Sequence, residues 1–301
     1  LGRPDVKGRE EILRVHAKDK PLGEDVNLAQ IARTTAGFTG ADLENLLNEA
    51  AIEAARKGRG FILQSDIKGA FIKVGIGAEK KSKVISEKEK KITAYHESGH
   101  AILFHVLPDM DPVYTISIIP TGMGAAGYTM PLPDNDEMFN TKGKMLQDIM
   151  TLLGGRIAEE IIFGDITTGA SNDIEQATKI ARAMITRYGM SDDFDMVAME
   201  TVTNQYLGGD ASLACSADTQ NEIDRKVVEL VKREHEKAKK VLLDNRQKLD
   251  ELSNYLYEKE TITGDEFMAI LNGEAKKETN TETKIESGAE KKEADADEQT
   301  I

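Results

Sequence analysis

The five residues His96-Glu97-Ser98-Gly99-His100 constrain this chain more than any other stretch of it. They sit in a segment, Glu87 to about Val106, whose patterning predicts one long helix. Helical positions four apart differ by about 40° in azimuth and about 6 Å in height, so both imidazoles can address one ion. Imidazole suits zinc, and a carboxylate beside two such ligands can hold a water and take its proton. Glu97 is therefore the candidate general base. Ala94, Ala101, Ile102, Leu103 and Phe104 surround the motif, so the helix is expected to be at least partly buried. That counts against the alternative of two solvated histidines on a charged face, because buried unpaired imidazoles are costly. His105 stands about 140° around the helix from His100 and reads as a packing or surface residue.

Two histidines leave a catalytic zinc one protein ligand short, since such sites use three and keep the fourth position open. Among the five histidines, His16 lies far away in sequence, and His235 falls in the charged run Lys232 to Lys240, which reads as a solvated face. The third ligand is therefore expected to be a carboxylate. Glu159, Glu160 and Asp173 are the candidates, and pattern alone does not rank them.

Residues 1–75 read as a small bundle of four helices: Lys7 to Lys18, about Asn27 to Thr35, Ala41 to Arg56, and a fourth capped by Ser65 or Asp66 and running through Ile72. Residues 76–90 are rich in Lys, Glu, Ser and Gly and read as a linker. Residues 91–272 predict a mainly helical domain with a small β-sheet. Its strands are Val113 to Ile119 and Tyr128 to Leu132, and its long helices Lys142 to Phe163, Asp173 to Tyr188 and Thr219 to Lys259. From 273 to 301 large apolar residues almost vanish, which predicts a disordered acidic tail.

A net charge of −14 without a dense basic stripe argues against nucleic acid as the main partner. The single cysteine, Cys215, excludes an intrachain disulfide and suits a reducing compartment such as the cytosol, and it reads as a buried structural thiol. No apolar run of about 18 residues and no export signal are visible, so the chain is expected to be soluble and cytoplasmic. The opening Leu1-Gly2-Arg3-Pro4-Asp5 reads as the end of a strand or loop, which predicts a piece of something longer.

The chain resembles the membrane-anchored, ATP-dependent FtsH metalloproteases from Arg3 to about Gly273. The match is carried by the His96 to His100 motif, by Leu153-Gly154-Gly155-Arg156-Ile157-Ala158-Glu159-Glu160, and by Thr167-Thr168-Gly169-Ala170-Ser171-Asn172-Asp173. The resemblance implies His96, His100 and Asp173 as ligands of one zinc per chain, with Glu159 orienting a histidine. It implies an endopeptidase in which a zinc-activated water attacks the peptide carbonyl and Glu97 handles the proton. The alternative is a non-catalytic assembly or adaptor module stapled by zinc, which would not need Glu97.

The first 75 residues resemble the helical lid of an AAA ATPase through Pro4 to Arg9 and Gly37 to Leu43, which implies that His16, Gly40 and Ala41 border the adenine of ATP. No phosphate-binding Gly-x-x-x-x-Gly-Lys-Ser/Thr is present. The nearest string, Gly75 to Ser82, has Lys80 where the second glycine should stand. This stretch is thus expected not to use ATP by itself. By resemblance the parent is a homohexamer at the cytoplasmic face of the cell membrane, attached through an N-terminal anchor, and it degrades unfolded or membrane proteins.

Overall fold

The structure is a computed structural model and describes residues 2–80, 85–122, 124–133, 137, 139–203 and 210–273. The expected tail, from 274 on, and residues 81–84 of the expected linker lie outside the described residues.

The N-terminal part folds as α1 (Val6–His16), α2 (Leu28–Thr34), α3 (Gly40–Arg56) and α4 (Gln64–Ile76). Short polar side chains start the first three: Asp5 accepts from Gly8 N–H, Asn27 from Gln30 N–H, and Thr39 from Asp42 N–H while Asp42 reaches back to Thr39. Leu13, Ile31, Leu43, Leu46, Leu47, Ile62, Ile67 and Phe71 close a common core. The fourth helix differs from expectation at both ends. Leu63 is its N-cap, Ser65 lies inside its first turn, and Asp66 accepts the Leu63 N–H at 2.9 Å from the third helical position. It then continues to Ile76 rather than ending at Ile72.

The second cluster is built on α5 (Glu87–Val106), α6 (Lys142–Phe163), α7 (Ser171–Thr186), α8 (Ala217–Asp244), α9 (Arg246–Lys259) and α10 (Gly264–Leu271). Ser86 and Glu89 form a capping box at the start of α5, and Thr141 caps α6. At the far end of α6, Gly164 takes a left-handed conformation (φ 63°) that returns its N–H to Glu160 O and turns the chain sharply. The helix expected from Thr219 to Lys259 is in fact two. Asn245 leaves helical geometry (φ −109°, ψ 22°), and its side-chain amide donates to Val241 O at 2.9 Å, so the chain bends between α8 and α9. Cys215 is half-buried against this cluster rather than fully enclosed.

β1 (Val113–Ser117), β2 (Tyr128–Pro131) and β5 (Thr261–Thr263) form an antiparallel sheet in the order β2-β1-β5, with Ile116 opposite Thr129 on one side and Ile262 on the other. β1 is therefore central, with both edges paired. A separate two-stranded ladder joins β3 (Glu200–Thr203) to β4 (Asp210–Leu213). The mainly helical class with a small sheet is as expected, whereas β3, β4, β5 and α10 were not. Tyr114, Met130 and Leu132 pack against the N-terminal core, with the Phe71 ring 5.4 Å from Phe38 and edge-on to Tyr114 at 5.8 Å.

Candidate metal centre

α5 and α6 cross closely enough that backbone meets backbone. A Cβ at Gly99 would fall on the Gly154 carbonyl and 2.8 Å from Ala158 Cβ, and one at Gly154 would lie 2.8 Å from Leu103 Cδ1. The crossing lays the His96 ring directly over α6, where a Cβ on Gly155 would sit 2.5 Å from the ring carbons Cδ2 and Cε1. Bare glycine at 154 and 155 is what admits the histidine-bearing helix.

Each imidazole is oriented through Nδ1. His96 Nδ1–H donates to Glu159 Oε1 at 2.7 Å, and His100 Nδ1–H donates to the Thr151 carbonyl at 2.7 Å. A carbonyl can only accept, so the Nε2 of neutral His100 carries a lone pair. The two Nε2 atoms lie 3.1 Å apart, and Asp173 Oδ2, from the first turn of α7, lies 3.4 Å from His96 Nε2 and 3.7 Å from His100 Nε2. A tetrahedral zinc with bonds of about 2.0–2.1 Å sets ligand-to-ligand edges of about 3.3 Å, which these three separations match. These three residues are the group of metal-ligating side chains that converges among the described residues.

Burial alone would lower the basicity of His96, but the carboxylates of Asp173 and Glu159 outweigh it and push its pKa up to about 10. Burial, then the neighbouring His96, pulls His100 down to about 4. The two carboxylates thus favour positive charge at one point, and a divalent cation there would displace the proton that His96 otherwise carries.

Glu159 does more than turn His96. It also accepts the Thr167 N–H at 2.8 Å and the Thr167 hydroxyl at 3.2 Å, while Arg156 donates to the Thr167 carbonyl at 2.5 Å. Two side chains of α6 therefore hold the loop that leads into Asp173. Glu97 is 6% exposed, and burial raises its pKa to about 7. Its Oε2 accepts from the Thr129 hydroxyl at 2.8 Å.

Of the three candidate carboxylates, Asp173 converges on both Nε2 atoms and Glu159 takes a Nδ1–H. Glu160 turns to α8, where it meets Lys239 at 2.7 Å and His235 at 3.3 Å. His235 is thus half-buried and paired, not simply solvated. His105 is exposed and edge-on to Phe267. His16 closes α1, and Gly40 and Ala41 open α3; among the described residues no hydrogen bond joins His16 to either. Thr129 and Thr151 belong to no motif, and Thr167 stands in the block that ends at Asp173 but was given no role of its own; the contributions of all three follow from tertiary neighbours. A signal was available for Gly99, Gly154 and Gly155, since glycine inside a helix implies close approach.

Residues 83–270 match Peptidase family M41, and residues 25–69 match the AAA+ lid domain. The ATP-dependent zinc metalloprotease FtsH of Clostridium perfringens is 49% identical over 288 residues, covering 95% of this chain and 40% of that protein. The protein of the same name from Caldicellulosiruptor bescii is 52% identical over 271 residues, with 89% and 44% covered. That of Thermus thermophilus is 46% identical over 273 residues, with 91% and 43% covered. The chain spans less than half the length of these curated relatives.

Proposed function

The chain belongs to peptidase family M41, and from that premise we propose that its zinc endopeptidase site consists of His96, His100 and Asp173 as ligands with Glu97 as general base. The observation that carries this is the convergence of two Nε2 atoms and one carboxylate oxygen beside a buried glutamate. Zinc, when bound, supplies Lewis acidity toward the scissile carbonyl and the attacking water. The protein does the rest. Glu159 and the Thr151 carbonyl hold the two rings in the tautomer that leaves Nε2 free for a metal. Glu97 accepts a proton from water as the carbonyl carbon is attacked and returns it to the departing amine nitrogen, and a pKa near neutrality suits both transfers.

An extended peptide would lie along β2, whose neighbour among the described residues is β1 on one side. β1 offers no such edge, being paired on both sides. Backbone pairing is tolerant of sequence and fits unfolded chains. Residues 1–75 act as the lid of an ATPase unit, with His16, Gly40 and Ala41 near adenine, 76–90 as linker and 91–272 as the peptidase. The whole protein is an ATP-driven hexamer that takes unfolded or membrane proteins and is anchored at the cytoplasmic face of the membrane. No described helix is long and apolar enough to cross a membrane. The 301-residue stretch alone cleaves small or already unfolded substrates without using ATP.

Zinc content measured together with casein hydrolysis tests this, comparing the chain with Glu97→Gln and Asp173→Ala. One zinc per chain, lost in Asp173→Ala, and activity lost with zinc kept in Glu97→Gln, is the expected result. Zinc kept in both variants, with no cleavage by any of the three proteins, favours the stapled adaptor instead.

A further inference from the structure

Glu97 is buried, and among the described residues one side chain gives its carboxylate a hydrogen bond: the Thr129 hydroxyl, 2.8 Å from Oε2 and 3.0 Å from Glu97's own carbonyl oxygen. The other carboxylate oxygen, Oε1, looks onto Gly127, where a Cβ would stand 2.9 Å from it and 2.7 Å from the Ser117 carbonyl. Thr129 therefore holds one oxygen by donation, while the bare Gly127 leaves room for the other. The hold is firm because β2 itself is held on three sides. Thr129 pairs with Ile116 of β1, the Tyr128 hydroxyl donates to Glu79 Oε1 at 3.1 Å, and Met130 packs on the N-terminal core.

Along a strand side chains alternate between faces, so Thr129 points to α5 while Tyr128 and Met130 take the opposite face, and the backbone edge stays separate from all three. We infer that Thr129 is the positioning residue of the general base, fixing through Oε2 which carboxylate oxygen is left to exchange the proton. The inference rests on Glu97 being that base. A glutamate has three rotatable torsions, and a fixed donor on one oxygen removes the freedom that would carry the other out of reach.

The test uses the zinc-loaded chain with Thr129→Val, which keeps the shape and removes the donor, and Thr129→Ser, which keeps the donor. With unfolded casein as substrate, Thr129→Val lowers kcat by about 10–100-fold, as loss of an orienting partner does around metal sites, with KM within about two-fold and zinc at one per chain. Thr129→Ser returns kcat to within about three-fold of the parent. Wild-type kcat in Thr129→Val, or equal losses in both folded and zinc-loaded variants, overturns the inference. Crystal structures of the parent and Thr129→Val supply a readout independent of turnover. The Glu97 carboxylate is expected to leave its position in the variant, and an unmoved carboxylate overturns the inference too. Absence of Glu97-dependent cleavage in the parent would instead count against the peptidase reading, and the crystallographic comparison would still decide the role of Thr129.

Discussion

His96 and His100 bring their Nε2 atoms to 3.1 Å of each other while each Nδ1 is engaged by an acceptor on α6. Without a metal the proton that His96 carries can bridge the two Nε2 atoms, and a divalent cation at that point would take its place. The consequences reach from metal binding to the stability of the helices.

Zinc binding should stabilise the fold, because the site joins α5 and α7 and the unfolded chain does not hold these groups together. At free zinc about 100-fold above Kd the gain is about 2.7 kcal/mol. Calorimetry with and without a chelator reads it as a rise in Tm, and identical melting in both conditions would contradict the assignment.

Glu159→Gln should lower zinc affinity by about 10–100-fold without unfolding the chain. The amide is a weaker acceptor for His96 Nδ1–H and a poorer anchor for Thr167, so both the His96 ring and the loop before Asp173 loosen. Competition with a chromophoric chelator measures the change. Unaltered affinity would mean that packing alone orients His96.

Gly155→Ala and Gly99→Ala should separate two kinds of damage. The first pushes a methyl group into the His96 ring and is expected to cost zinc more than stability. The second pushes one into the Gly154 backbone and forces α5 from α6, costing about 1–3 kcal/mol. Zinc titration and urea denaturation of each variant distinguish them.

Asp66 gives a pH dependence remote from the metal. The Arg59 guanidinium, 2.6 Å and 2.7 Å from its two oxygens, holds this fully buried carboxyl well below the usual range, against burial and aided by Leu63 N–H and Lys57. An unfolded aspartate titrates near about 3.9, so the contribution is complete above that pH and is lost as pH falls through the lower folded value. Asp66→Asn should therefore weaken protection of α4 amides by about 2 kcal/mol at pH 7, and the gap from the parent should shrink below about pH 4. Hydrogen exchange measures it, and a gap that persists undiminished in acid would refute the pairing.

Much of this was legible along the chain because it is local. The spacing of His96 and His100 is a property of one helix, and the bounds of α5 and α6 follow from uninterrupted patterning between clear caps. What was not legible depends on partners distant in sequence. Asp173, Glu159 and Glu160 are alike in pattern and differ only in what α5 and α8 present to them. Asn245 interrupts no apolar repeat, so the bend between α8 and α9 left no trace. Strand β5, three residues long, has too little length for an alternation to show and exists because β1 supplies its hydrogen bonds.

That last pairing has a kinetic side. Thr115 and Ile262, joined through the Thr115 hydroxyl, are 147 residues apart, so one flank of the central strand waits for the C-terminal region to be made. At about 5–20 residues per second of synthesis the wait is roughly 7–30 s. For that interval the nascent chain displays an unpaired β edge, and closing the sheet demands a long-range encounter of the slow-folding kind. Ribosome-bound intermediates ending before residue 261 should therefore be the ones most prone to wrong strand pairing.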